Sequence, residues 1–196
     1  MGYDLGILID EENPVWVKGD DDVEFETWLG PQNPRSWINF SVVWYSQILA
    51  KTMGFETMQK YVNAFNYGNK DISGDPGKDN SLTRSWLDSS LKISPLEQIA
   101  FLLKVYREQL PVSPHAFKMT KNILYRETLP SGEKLYARTG TGAMINNQRV
   151  VWIVGWYEKE SKATIFSLLL LLQSHEKPPT RQERQAIVQK FLVLSS

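Results

Sequence analysis

The residues of this chain best suited to chemistry lie in short strings: Ser41-Val42-Val43, Tyr67-Gly68-Asn69, Trp86-Leu87, Arg138-Thr139-Gly140 and the lone Arg181. Acyl transfer from an amide needs a nucleophilic hydroxyl, a base to take its proton, an oxyanion hole and a cation to hold a substrate carboxylate. Arg138 and Arg181 supply cations, and Ser41 and Thr139 supply hydroxyls. Other chemistries have less to draw on. Cysteine is absent, which removes disulfides, thiolate metal sites and a cysteine nucleophile. His115 and His175 stand alone, without the spacing of metal ligands, so neither a metal nor another cofactor is expected. The glycines after Arg138 lead from one strand into another rather than into a helix, unlike a phosphate-cradling loop.

Each string also has a plainer reading. A serine at the head of a helix is favoured as an N-cap for backbone reasons alone. Asn or Gly after an aromatic is ordinary turn chemistry. A tryptophan such as Trp86 can be a core residue whose indole N–H finds a carbonyl. Arg181 can be a solvated charge at the start of a helix.

Composition bounds the alternatives. With 196 residues and 42% hydrophobic content, a single domain spanning residues 1–196 can bury a core unaided. Twenty-two basic and twenty-two acidic residues cancel, leaving no global field to attract nucleic acid or an anionic membrane. Seven tryptophans without a basic patch read as core and cleft lining rather than as a base-stacking surface. The string MGYDLGILID has neither the basic nor the long apolar region of a secretory signal. The longest apolar run, residues 165–172, is too short for a bilayer, which needs roughly 20 residues.

The elements that must position these residues follow from periodicity and caps. Apolar Val42, Tyr45, Ile48 and Leu49 predict a helix over 41–53 that stops at Gly54, and a second helix over 55–65 follows. Residues 66–93 are rich in Gly, Asp, Ser and Asn and read as a long functional loop with a helical turn near Trp86. Ser94-Pro95-Leu96-Glu97 combines an N-cap, a proline at the first helical position and a capping-box glutamate. The helix it opens should bury Leu96, Ile99, Leu102, Leu103, Tyr106 and Leu110. Ser113-Pro114 opens another helix, to about Leu124. Strands then follow at 135–138, 149–157 and 163–172, the last two joined by a charged hairpin over 158–162. Thr180 and Glu183 form a capping box for a closing helix with Ala186, Ile187, Phe191 and Leu192 on its apolar face. Helices, then an antiparallel sheet, then a final helix make an α+β fold.

In this order the strings resemble the motifs of the serine β-lactamase and penicillin-binding transpeptidase superfamily, and most closely those of its class D β-lactamases. Trp152-Ile153-Val154-Gly155-Trp156-Tyr157-Glu158 is similar to that family's Trp-Val-Gly-Trp-x-Glu strand, and the resemblance runs from about Leu5 to Leu194. It implies an antiparallel sheet flanked by helices and a reaction, β-lactam hydrolysis, that passes through an acyl-enzyme. Ser41 would be the proton-relaying serine of Ser-x-Val, and Val43 would lie on the cleft. Tyr67 and Asn69 would belong to the Tyr-Gly-Asn element, and Trp86 would be the tryptophan that bonds a carbamylated lysine. Arg138, Thr139 and Gly140 would replace Lys-Thr-Gly on the substrate strand, and Arg181 would bind the substrate carboxylate. Arginine keeps the lysine's charge but not its ability to share a proton. The implied ligand is a β-lactam or a peptidoglycan-peptide-like molecule, and the family works in the periplasm or outside the cell.

The front of the chain departs from that pattern. The family's nucleophile lies in a Ser-x-x-Lys string upstream of Ser-x-Val. Here Ser-x-x-Lys occurs only at 89–92, 131–134 and 174–177, each after Ser41 and in loop or turn context. The chain therefore reads as opening near the C-terminal end of the nucleophile helix, around Asp4-Leu5-Gly6, without the family's first strands. The strand over 163–172 should then be an unpaired edge open to a second copy. Two functions remain: a β-lactam-recognising domain inactive in this polypeptide, or a non-catalytic penicillin-binding fold acting as a binding or interaction module.

Overall fold

A computed structural model describes residues 1–19 and 23–193, the side chains of residues 143, 145 and 191–193 excepted. Its contacts divide into two compact units. The first comprises Met1–Lys92 and Lys104–Leu124, and the second Ile93–Leu103 and the chain from Tyr125 on.

The first unit is built from helices. Helix α1 (Pro34–Phe40) starts where Asn33 accepts from the Ser36 amide at 2.9 Å, with Pro34 at its first position. This helix was not expected, although the Asn-Pro start marks it. It ends at Ser41, which is left-handed at φ 58°. The helix expected over 41–53 therefore begins two residues later as α2 (Val43–Met53), and Ser41 is not its N-cap but the C-cap of α1. Helices α3 (Phe55–Phe65), α4 (Ser81–Arg84) and α6 (Pro114–Leu124) follow. Strands β1 (Trp16–Val17) and β2 (Pro31–Gln32) form a two-stranded ladder that the sequence did not announce.

The core of this unit is aromatic, and several of its rings are anchored by hydrogen bonds to backbone carbonyls. Tyr45 is fully buried between Trp16 and Trp37, at ring separations of 4.4 and 5.3 Å, and its hydroxyl donates to the Pro14 carbonyl at 2.9 Å. Trp44 donates to the Trp28 carbonyl at 3.1 Å, and Trp28 to that of Phe40 at 2.9 Å. Indoles paired in this way are buried without a desolvation penalty. Residues 1–7 close like the end of a helix: Ile7 N–H reaches the Gly2 carbonyl and Gly6, at φ 69°, reaches that of Tyr3. Asp4 then accepts from the Tyr61 hydroxyl and the Ser113 amide, both at 2.6 Å.

The second unit holds helix α5 (Pro95–Tyr106) up to Leu103, whose capping box forms as expected, with Ser94 N–H on the Glu97 carboxylate at 2.8 Å. The predicted stripe on α5 is only partly buried. Leu102 is inside, but Leu96, in the first turn, is 78% exposed and Gln98 takes a buried place instead. The sheet runs β3-β4-β5-β6, all antiparallel, from β3 (Tyr125–Thr128), β4 (Lys134–Ile145), β5 (Gln148–Lys159) and β6 (Lys162–Gln173). Strand β3 was not foreseen, and β4 extends seven residues past the expected Arg138, to Ile145. It turns into β5 through Asn146 and Asn147 at φ 50° and 63°, the left-handed pair that a tight hairpin requires. One face of the sheet packs Leu135, Ala137, Ile153, Tyr157 and Phe166 against Val188 of α7 (Arg181–Val193). On α7 the sheet-facing residues are Arg184 and Val188 rather than Ala186, which is exposed, and Ile187, which is half-buried; the side chains of Phe191 and Leu192 lie outside the described residues. No helix among the described residues is long and apolar enough to cross a membrane.

Two predictions follow from this packing. The hydrogen bonds from Tyr61 and then Ser113 hold the Asp4 carboxyl below its ordinary value of 3.8, so this stabilisation is present at neutral pH and is lost as pH falls through the depressed value. Asp4→Asn should cost on the order of 1 kcal/mol at pH 7, discounted for partial exposure. In melting curves taken against pH, the gap to the parent protein should close in acid. Second, a Cβ at Gly155 would fall on the Tyr136 carbonyl oxygen and 2.8 Å from Ala137 Cα. Gly155→Ala should destabilise the protein by about 2 kcal/mol or more, whereas Gly140→Ala, whose Cβ meets nothing closer than Trp152 Cβ at 3.9 Å, should change stability by less than about 1 kcal/mol. Urea titrations of the two variants provide the comparison.

Candidate functional site

The residues singled out in the sequence fall into two groups, one in each unit. In the first unit, Ser41 sits at the α1–α2 corner in a left-handed conformation that costs a residue with a Cβ of order 1 kcal/mol. The corner is held by Val42, which is fully buried and whose N–H donates to the Trp37 carbonyl at 3.1 Å. Val43 is the first residue of α2 and packs on the aromatic core. Tyr67 and Trp86 come together on one apolar cluster made of Ala50, Met58, Val62 and Ile72. Burial pushes the Tyr67 hydroxyl up to about 12, so it is a neutral donor at any working pH.

Asn69 is a staple of the long loop. Its Oδ1 accepts from Lys92 N at 2.9 Å and Asp71 N at 3.3 Å, and its Nδ2 donates to the Ser90 carbonyl at 2.8 Å. The loop has further internal ties: Asp75 accepts from Ser89 Oγ at 2.7 Å and Asn80 Nδ2 at 2.8 Å. Such closure explains how residues 66–93 hold a defined shape with one short helix.

In the second unit, Arg138, Thr139 and Gly140 are consecutive on β4 and pair with Val154, Ile153 and Trp152 of β5. On its other side, β4 is paired with β3 only as far as Tyr136. Beyond that residue no strand among the described residues covers its β3-facing edge. Backbone groups alternate between the two edges of a strand, and the Gly140 carbonyl lies beside that of its β5 partner Trp152, so of these three residues Thr139 is the one whose backbone an extended ligand could reach. Arg181 is the exposed first residue of α7. Burial, then the Arg126 and Arg181 guanidiniums, push Arg138 down to about 10; burial and Arg181 do the same to Arg126. Arg126 and Arg181 are thus both near enough to Arg138 to disfavour its charge.

Two residues of this arrangement were missed in the sequence. Arg184 is buried, and its guanidinium donates to the carbonyls of Gly140 at 2.8 Å, Trp152 at 3.2 Å and Pro179 at 2.8 Å and to Thr141 Oγ1 at 3.0 Å. It fastens the first turn of α7 to the strand that carries Arg138. The available signal was phase, because Arg184 lies four residues before the buried Val188 and so on the same helix face. Arg126 sits at the β3 bulge and donates from Nε to the Ala137 carbonyl at 2.7 Å. Among the described residues no group of three or more His, Asp or Glu side chains is placed to hold a metal ion. His115 contacts the Ile9 carbonyl at 2.9 Å.

Comparison with known proteins gives concordant matches. The model of the penicillin-binding protein transpeptidase domain matches residues 1–192. Beta-lactamase OXA-9 of Klebsiella pneumoniae is 35% identical over 209 residues, covering 99% of this chain and 74% of its own length. Beta-lactamase OXA-1 of Escherichia coli is 39% identical over 158 residues, covering 81% of this chain and 55% of its own. The crystal structure of the class D β-lactamase OXA-427 superposes with a TM-score of 0.88 at 37% identity, covering 97% of this chain and 83% of that one. The chain belongs to the penicillin-binding protein transpeptidase domain family, within the superfamily that contains the class D β-lactamases.

Proposed function

We propose that this chain recognises β-lactams, or peptidoglycan peptides of like shape, and that the 196-residue polypeptide does not turn them over. The observation that carries the binding half is the open β4 edge beside its cations: Arg138, Thr139 and Gly140 face a region no other strand occupies among the described residues. A ligand would lay its amide along Gly140, where the absent side chain leaves room, and place its carboxylate near the Thr139 hydroxyl and the guanidiniums of Arg138 and Arg181. Arg184, on the Gly140 carbonyl, holds this strand in register with α7. By the family resemblance, Val43, Tyr67, Asn69 and Trp86 of the first unit would be substrate-binding residues and Ser41 the proton relay of the family reaction.

The chemical half is limited by the sequence. Hydrolysis in this family passes through an acyl-enzyme on the serine of Ser-x-x-Lys, and no such string precedes Ser41 in these residues. The second reading, a binding or interaction module, is favoured by that same fact. Intact-mass spectrometry after incubation with benzylpenicillin, with nitrocefin turnover on the same sample, separates the two halves. The expected result is no adduct and no turnover, alongside saturable stabilisation by benzylpenicillin in thermal melts. A stable gain of one ligand mass, or turnover abolished by Ser41→Ala, would show that a residue of this chain serves as nucleophile or relay and would sink the inactive reading.

We further propose that β6 pairs with its equivalent in a second copy. Among the described residues β6 pairs with β5 alone along its twelve residues, and it carries Leu168 to Leu172 in succession. A long apolar edge of this kind is an association surface. Light scattering at high protein concentration should give a dimer mass that Leu171→Lys reduces; a clean monomer would refute the pairing.

A further inference from the structure

Helix α1 ends at Phe40, and Ser41 after it is left-handed, at φ 58° and ψ 42°. Helix ends reserve that conformation mainly for glycine, so a serine must be held there by its surroundings. The two peptide planes that flank Ser41 set both angles. The 40–41 plane is gripped at either end: the Ser41 N–H donates to the Trp37 carbonyl, and the Phe40 carbonyl accepts the indole N–H of Trp28 at 2.9 Å. The 41–42 plane is tied through the Val42 N–H to the same Trp37 carbonyl, at 3.1 Å. Both bonds to Trp37 belong to the helix end itself. The bond from Trp28 comes from outside the helix and serves one of the terminal carbonyls that an α-helix leaves without an internal partner. Trp28 is in turn fixed. It is buried at the end of a 3₁₀ turn, Glu26–Trp28, and its carbonyl accepts from Trp44 Nε1 at 3.1 Å. The carbonyls on either side of it, those of Thr27 and Leu29, accept from Nε2 of Gln32 at 3.2 and 3.1 Å, which accounts for the burial of that amide side chain.

We propose that Trp28 is a positioning residue for Ser41: by holding the last carbonyl of α1, its indole N–H keeps the 40–41 peptide from rotating and so keeps the serine in its left-handed state. The inference rests on the reading of Ser41 as a proton relay and deepens it, because a relay acts only from a hydroxyl whose place is fixed. An apolar ring at position 28 could fill the core but could not hold the carbonyl. Once released, the peptide would turn, and Ser41 would go over to the right-handed region that residues with a Cβ prefer.

The sequence offers a direct probe, because Phe-Ser occurs at 40–41 and again at 166–167. With ¹³C in the phenylalanine carbonyls and ¹⁵N in the serines, magnetic resonance isolates these two pairs, and the signal missing in Ser41→Ala is that of Ser41. The three-bond coupling from the Phe40 carbonyl carbon to the Ser41 Hα reads the conformation, since the two nuclei are antiperiplanar at φ 58° and gauche in the right-handed region. The coupling should be large in the parent protein. Trp28→Phe, which keeps a ring and loses the donor, should lower it and leave the Phe166–Ser167 coupling unchanged. A coupling that stays large in Trp28→Phe, even with a lower melting temperature, would assign Trp28 to packing alone and overturn the proposal. If Trp28→Phe does not fold, adding Ser41→Gly should restore the fold, since glycine accepts the left-handed state without support. A double variant that stays unfolded would overturn the proposal as well. Benzylpenicillin added to the parent tests the relay reading separately. Movement of the Ser41 amide signal at saturation supports that reading; a signal that stays in place removes Ser41 from the ligand site, while the hold of Trp28 on it stands.

Discussion

A charge taken out of water must find its hydrogen bonds inside the protein, and Arg184 finds four of them on a proline carbonyl, two strand carbonyls and a threonine hydroxyl. Leaving any of those donors unmet would strand a buried cation, which is among the costlier defects a fold can carry. The guanidinium is also planar and forked, so its partners are fixed in angle as well as in distance. Helix α7, β4 and β5 are consequently held at one relative setting, and Arg138, Thr139, Gly140 and Arg181 inherit it. The strand that carries Arg138–Gly140 is positioned by an interior cation that is not one of the five strings.

Gly155 and Gly140, both on strands of this sheet, show how one residue type serves opposite ends. Gly155 is required by the protein itself, because β4 runs so close that the Tyr136 carbonyl occupies the space of a side chain. Gly140 has nothing pressing on it, so its missing side chain leaves room for something other than the protein. The first protects the fold and the second keeps a surface vacant. Ser41 belongs with Gly140: its left-handed corner is strain that the packing of Val42 sustains.

Much of the fold was legible where local chemistry decides it. The bounds of α3, the capping boxes at Ser94 and Thr180, and the hairpin between β5 and β6 came from residues acting on their immediate neighbours. Where a partner far along the chain decides, the sequence was silent. The short ladder of β1 and β2 forms where Trp16 packs on the aromatic core and pairs with Gln32, and neither strand has a pattern of its own. The first turn of α5 reads as a buried stripe, yet Leu96 faces out, since an apolar period cannot say which turns a neighbour covers. For the site, the motif order located the strand and the loop, but not Arg126 and Arg184, because a linear reading cannot tell an interior arginine from a solvated one. Asn146 and Asn147 were the clearest missed signal: two residues tolerant of the left-handed region stood between apolar runs.

The ties that close the first unit span most of its length in the chain. Asp4 reaches Ser113, Ile9 reaches His115 and Glu11 reaches Asn122, separations of 109, 106 and 111 residues. Strands β4 to β6 instead form a meander in which each pairs with its sequence neighbour through a tight connection. Loop-closure entropy is small for the meander and large for the helical unit, so the two differ in intrinsic folding speed. In a refolding chain, residues 4–11 cannot dock until α6 reaches them, whereas the meander of β4 to β6 can zip hairpin by hairpin. The unit closed by the most distant ties is therefore the one that remains open longest.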